Sequence, residues 1–343
     1  MSPEKFRTFR SEIIDALLSS MDGPEGPGSR WVVENNTTKV SHILDRIEKA
    51  FVDTVTVKDT RLELYTIKIK DTEDIVPIAL CLPTQTPAPG IILYSGHTAE
   101  GGLRDLFVDD DSYQKAMARR LCEAGFATLA VEKIDSGLMT MHFQRRGERF
   151  TVEREPGGGA DDELEAATTL LGVGDYLIPG RQLMANIAAL EILSADPRVD
   201  HTRIGAAGVS AGGWMALHSA LVNARIKAVA NYGGMWSYLE ATMEKPDYKD
   251  FQGITDFTQL IPGIWKLGDQ NRFVLAVPPL VMQIGYGQLD HPYTTYKKYF
   301  FPVVGQQYEM LGARGNLEIV THKKGHEFPP APIISFFKRR LNK

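Results

Sequence analysis

The stretch that most constrains this chain is Arg203–Leu217. Arg203-Ile204-Gly205-Ala206-Ala207-Gly208-Val209 reads as a strand of small and β-branched residues, and Gly212-Gly213-Trp214-Met215-Ala216-Leu217 reads as a helix. Ser210 sits at the junction, with a glycine two positions away on either side. A strand that turns sharply into a helix forces the residue at the corner into strained backbone, and the close approach leaves room only for glycine beside it. Such a corner lifts a hydroxyl clear of the sheet and sets it at a helix N-terminus, where developing negative charge is favoured. Ser210 therefore reads as a nucleophile. The competing reading is a small-residue turn with an incidental serine.

The surrounding pattern alternates strands with helices. Thr54–Val57, Leu62–Ile69 and Ile75–Leu82 are rich in β-branched residues with short polar breaks, which predicts an antiparallel meander. Strands are then expected at 91–94, 127–131, 204–209, 227–231, 280–284 and 317–321. Helices are expected near 113–123, 181–194, 212–223 and 331–341. This predicts an α/β fold: a mostly parallel central sheet with antiparallel N-terminal strands and helices on both faces. Residues 4–20 and 39–51 have helical apolar spacing, so 1–53 is expected to be a helical N-terminal extension on an α/β domain spanning 54–343. Two long insertions, 135–180 and 234–275, are expected near the functional site. The second is aromatic-rich and is expected to form a cap.

A serine nucleophile needs a base and an acid to orient it, and in a strand–serine–helix setting the chain order is serine, acid, histidine. Three histidines follow Ser210 at a useful distance: His291, His322 and His326. His322 falls in a strand-like run and reads as structural. His291 would point away from the acid beside it. His326 lies in a loop beyond the last expected strand and is the expected base. Asp290, in the loop after the strand 280–284, is the expected acid, with Asp269 a weaker alternative because it precedes that strand. An oxyanion needs two N–H donors. The expected pair are the backbone amides of Ala211 and of His97, the latter in Ser95-Gly96-His97 after the strand 91–94. His142, Trp214, Met235, Trp236 and Tyr286 are candidate pocket residues, with core packing the competing role for each.

On these residues the chain resembles the acetyl xylan esterase and dienelactone hydrolase-like branch of the α/β-hydrolases. The similarity is carried by Asp196-Pro197-Arg198-Val199-Asp200 before the nucleophile strand and by Ser210-Ala211-Gly212-Gly213. It continues in Arg225-Ile226-Lys227-Ala228, in Pro278-Pro279-Leu280, in Gly325-His326-Glu327-Phe328 and in Gly96-His97. It covers roughly residues 75–340. The resemblance implies Ser210, Asp290 and His326 as a triad, with His97 and Ala211 as oxyanion donors. The branch's Asp-x-Arg-Gly turn after the strand 127–131 is replaced by Glu132-Lys133-Ile134-Asp135, and the Trp-Asp that follows Gly180-Arg181 by Ala185-Asn186. Both changes fall on the rim and packing, outside the three catalytic positions.

Composition narrows the remaining choices. A net charge of −5 gives no support to a polyanionic partner, and Lys338-Arg339-Arg340 reads as a solvated helix end. No apolar run approaches a membrane span, and the polar start of the sequence lacks a secretory pattern, so a cytoplasmic setting is expected. The two cysteines, Cys81 and Cys122, lie in apolar runs and read as small buried hydrophobes; a disulfide between them is open, without support from their spacing or context. No ligand spacing suggests a metal, and no cofactor is expected. The expected partner is a small-molecule ester, with neither nucleic acid nor membrane; self-association is left open. The expected activity is hydrolysis of an acetyl ester or lactone through an acyl-enzyme. The same triad would also serve C–C bond hydrolysis, acyl transfer or cyclisation of a specialised metabolite. A non-catalytic ligand-binding module on the same scaffold is the reading from another class.

Overall fold

The computed structural model describes residues 8, 11–13, 33–34, 37–38, 47–70, 74–98, 101–134, 178–235, 267–268, 273, 280–290 and 296–342. Nine strands form one sheet: β1 (Ile47–Val57), β2 (Thr60–Ile69), β3 (Asp74–Cys81), β4 (Ala88–Tyr94), β5 (Ala127–Val131), β6 (Val199–Val209), β7 (Ile226–Tyr232), β8 (Val281–Gly287) and β9 (Leu317–His322). Their order across the sheet is β9-β8-β7-β6-β4-β5-β3-β2-β1. β1, β2 and β3 form the expected antiparallel meander, and β3 also runs antiparallel to β5. The other five pairings are parallel.

Side chains alternate across the parallel strands, as the strand period of two requires. Ile92 and Tyr94 of β4, Ile204 and Ala206 of β6 and Val229 of β7 enter one apolar cluster. Ile91 and Leu93, Ala207 and Val209, and Ala228 and Ala230 enter another. Helices α3 (Ile178–Ala195), α4 (Ala211–Val222) and α5 (Phe301–Met310) belong to the first cluster. Helices α1 (Gly102–Phe107), α2 (Met117–Glu123) and α6 (Pro330–Leu341) belong to the second. The sheet is thus covered on both sides. Every crossover between parallel strands returns the chain to the same end of the sheet, so the loops after β4, β6, β7, β8 and β9 gather at one rim.

Two expectations are corrected. Residues 47–51, read as the end of a helix, form the first half of β1, where Ile47 pairs with Ile69 and Phe51 with Tyr65. β1 is an edge strand, and Phe51 and Val52 stay exposed at 60% and 57%, so no buried face imposes an alternating pattern there. Pairing with β2 decides the conformation instead. Helical backbone is seen at Thr8 and Ser11–Ile13, and Ile13 is fully buried in the first cluster. The rest of the expected N-terminal helices, like most of the insertions 135–180 and 234–275, lies outside the described residues.

The second correction concerns the cysteines. Cys81 and Cys122 are joined by a disulfide, with their Cα atoms 6.1 Å apart. Both are buried as expected. What their spacing of 41 residues conceals is that β3 pairs with β5, setting Cys81 opposite Thr128, while α2 lies over both strands. The Thr128 hydroxyl also donates to the Ala118 carbonyl of α2 (3.1 Å). No described helix is long and apolar enough to cross a membrane.

Candidate active site

Ser210 occupies the corner between β6 and α4 with φ 59° and ψ −131°. This is a conformation that a residue with a Cβ adopts only when its surroundings enforce it. They do so through three hydrogen bonds. The Ser210 N–H donates to the Tyr232 carbonyl at the end of β7 (2.8 Å), and the Ser210 carbonyl accepts from Gly213 (2.9 Å) and Trp214 (3.2 Å). The flanking glycines are required by contact. A Cβ on Gly208 would lie 2.1 Å from the Gly212 backbone, and one on Gly212 would lie 2.1 Å from the Tyr94 carbonyl oxygen. That second contact presses the first turn of α4 against the end of β4, where the Gly96-His97 loop begins. The fully buried Asn231 secures the other side: its amide donates to the Gly213 carbonyl (2.8 Å) and its oxygen accepts from Gly234 (3.2 Å).

The loops carrying Asp290 and His326 are stitched together by backbone. Gln288 donates to the His322 carbonyl (2.7 Å), and Leu289 donates to the Lys324 carbonyl (3.0 Å). Asp290 and His326 then meet, with His326 Nδ1 2.8 Å from Asp290 Oδ2. The Asp290 side chain is 8% exposed and that of His326 34%, so the carboxylate is enclosed while the imidazole reaches solvent. Gly233, beside the Ser210 partner Tyr232, faces both: a Cβ there would lie 2.8 Å from His326 Cε1 and 3.6 Å from Asp290 Oδ2. The next glycine, Gly234, faces the Ser210 corner, since a Cβ on it would lie 2.3 Å from the Ser210 carbonyl oxygen. The turn after β7 is therefore the common wall between Ser210 and the Asp290–His326 pair.

His322, the rejected base, ends β9 opposite Gly287. Neither of its ring nitrogens has a hydrogen-bond partner among the described residues. Burial lowers its pKa, against the opposing pull of Glu327 and Asp290. His97 and Ala211 follow β4 and β6 at the same rim. Trp214, Met235 and Tyr286 are buried in the first apolar cluster. Trp214 stacks on His218 (centroids 3.8 Å apart), and the Tyr286 hydroxyl bonds to the Met235 backbone while its ring stacks on Tyr296 (3.9 Å). Their described contacts are those of core residues. His142 and Trp236 lie outside the described residues, as do His291 and Asp269.

Sequence reasoning missed the residues that brace the loop after β4. The Gly96 N–H donates to Gln114 Oε1 (2.9 Å), and the Tyr113 hydroxyl donates to the His97 carbonyl (3.0 Å). Glu132, buried at the end of β5, accepts from the Leu103 N–H (3.3 Å). No local pattern announces these roles; each depends on the parallel pairing of β4 with β5. Among the described residues, no group of three or more His, Cys, Asp or Glu side chains could hold a metal ion.

The dienelactone hydrolase family matches residues 79–252, just over half of the 343 residues. The chain belongs to that family. Solved structures share the α/β-hydrolase fold expected of such a dienelactone hydrolase relative. The methylesterase BT1017 is 15% identical with a TM-score of 0.66 over 99% of this chain, which spans 65% of that protein's length. Acetyl xylan esterase 1 from Thermoanaerobacterium sp. JW/SL YS485 is 16% identical, with a TM-score of 0.55, over 98% of this chain and 94% of that one. A glucuronoyl esterase from Solibacter usitatus is 14% identical, with a TM-score of 0.59, over 96% and 91%. No curated protein sequence matches this one.

Proposed function

We propose that this member of the dienelactone hydrolase family is a serine hydrolase of carboxylic esters that works through an acyl-enzyme on Ser210. The observation that carries the reading is the Asp290–His326 hydrogen bond of 2.8 Å, facing the same glycine turn that abuts the strained Ser210 corner. In the reaction His326 Nε2 takes the Ser210 hydroxyl proton as the oxygen attacks the ester carbonyl. Asp290 holds the Nδ1–H and stabilises the imidazolium that forms. The amides of His97 and Ala211 hold the oxyanion in place of water. Collapse of the tetrahedral intermediate breaks the bond to the leaving alkoxide, which takes the proton from His326. Water, deprotonated by His326, then attacks the acyl-enzyme and releases the acid and free Ser210.

The family's namesake lactone is a cyclic ester, and the structural neighbours reported above are named for esterase activities. Both agree with an acetyl ester, methyl ester or lactone as the substrate class. A panel of aryl esters of increasing acyl length, an acetylated sugar, a sugar methyl ester and a lactone tests this. At least one is hydrolysed by the wild type, and Ser210→Ala lowers that turnover by about 10⁴-fold or more. Failure on every ester, with turnover of a diketone, would replace the reading with C–C bond hydrolysis.

A further inference from the structure

Tyr113 lies outside the proposed triad and oxyanion pair, yet it touches both halves of the site. Its hydroxyl donates to the His97 carbonyl (3.0 Å). Its ring stacks on the His326 imidazole, with centroids 5.5 Å apart and planes 27° from parallel. Its own carbonyl accepts the Phe328 N–H (2.8 Å), two residues beyond His326. The next residue, the fully buried Gln114, accepts the Gly96 N–H (2.9 Å).

We propose that Tyr113 is a positioning residue that fixes the oxyanion donor and the general base in one frame. The inference rests on the assignment of Ser210, His326 and His97 above. The His97 N–H belongs to the peptide plane between Gly96 and His97. The preceding plane is held at its N–H by Gln114, and the following plane is held at its carbonyl by Tyr113. A peptide unit is planar and turns only about the dihedrals at its two ends. Anchoring the plane on each side leaves a concerted crankshaft as the main remaining motion of the His97 N–H. A Cβ on Gly96 would meet the Tyr113 oxygen at 2.0 Å and the Val209 carbonyl at 2.8 Å. The loop is thus held between Tyr113 and the strand that delivers Ser210.

The segment carrying Tyr113 is itself rigidly held. Lys115 and Ala116 adopt φ 56° and 46°, a pair of strained non-glycine residues that persists only where the surroundings over-determine it. The Ala116 N–H donates to the Asp105 carbonyl (3.0 Å), and Arg119 donates to the Phe107 carbonyl (2.9 Å) and pairs with Glu123 (2.6 Å). Lys115 pairs with Glu327 (3.5 Å), beside His326.

The test is Tyr113→Phe, which keeps the ring and removes the donor. Deleting an oxyanion donor outright costs about 10²–10³-fold in kcat, and loosening one costs less, about tenfold. With an aryl acetate as substrate, kcat falls about tenfold while KM stays within about twofold and the thermal midpoint stays close to wild type. A kcat within about twofold of wild type overturns the proposal. Labelling by a fluorophosphonate separates the two levels of failure. Labelled wild type with an unaffected Tyr113→Phe variant sinks the Tyr113 role alone, whereas unlabelled wild type sinks the assignment beneath it. Should Tyr113→Phe fail to fold, 3,5-difluorotyrosine incorporated at position 113 serves instead. Its hydroxyl loses its proton near neutral pH, whereas an ordinary tyrosine does so near about 10. Turnover by that variant then falls as pH rises through neutrality, relative to wild type. A profile that follows the wild type contradicts the proposal.

Discussion

His326 and Asp290, 36 residues apart in sequence, meet through Nδ1 and Oδ2 at 2.8 Å, with the carboxylate enclosed and the imidazole open to solvent. An enclosed acceptor on Nδ1 leaves the other ring nitrogen as the basic one, which a nucleophile can use. Asp290→Asn keeps the shape and offers the amide in place of the acceptor, favouring the wrong tautomer. The expected loss in kcat is about 10³–10⁴-fold, with the fold retained by circular dichroism. A loss of less than tenfold would remove Asp290 from the mechanism.

The two histidines near the end of the chain make opposite predictions. His326→Ala removes the proposed base, and turnover is expected to fall by about 10³-fold or more. His322→Ala trims a side chain whose ring nitrogens have no hydrogen-bond partner among the described residues, and turnover stays within about threefold. Steady-state rates of the two purified variants decide it, and the reverse ranking would move the base to His322.

Two glycines give a matched contrast in packing. Gly212→Ala forces a Cβ to within 2.1 Å of the Tyr94 carbonyl, so α4 and the end of β4 must separate. Both thermal midpoint and kcat fall. In α5, a Cβ on Gly305 meets nothing within 4 Å, and Gly305→Ala is expected to stabilise by up to about 1 kcal/mol through helix propensity, with turnover unchanged. Urea midpoints measure the difference, and a destabilised Gly305→Ala would contradict the described surroundings of α5.

His218 links stability to pH. Burial inside α4 lowers its pKa from 6.5 to about 4, only partly offset by the Nδ1 hydrogen bond to the Trp214 carbonyl (2.8 Å). Between those values the unfolded chain binds a proton that the folded chain does not, so stability declines as pH falls through that window. The full effect is on the order of 3 kcal/mol. His218→Phe keeps a ring stacked on Trp214 and removes the titration. The drop in urea midpoint between pH 7.5 and pH 5 should then be smaller than in wild type; an equal drop in both proteins would contradict the assignment.

Where one local signal dominates, the sequence is a sufficient guide. Ala127–Val131 is a short apolar run that follows Gly125-Phe126, and a fully buried strand forms over those residues. The sharp corner at Ser210 is legible because strand, glycines and helix meet within a few residues. Legibility fails where distant partners decide. Ile47–Phe51 has mixed periodicity and becomes a strand only because β2 lies beside it. Helix α5 carries Pro302, Val303, Val304 and Gly305, a weak helical signal rescued by burial of Val304 and Tyr308. The Cys81–Cys122 bond and the Tyr113–His97 contact arise from the strand order β4-β5-β3, which no local pattern encodes.

The most direct measurement is mass-spectrometric mapping of the protein after treatment with a fluorophosphonate probe, alongside Ser210→Ala. One phosphonylated peptide, modified at Ser210, is expected, with loss of esterase turnover in step with its formation and no modification of Ser210→Ala. An unlabelled wild type, or a label that persists in Ser210→Ala with activity unchanged, would contradict it.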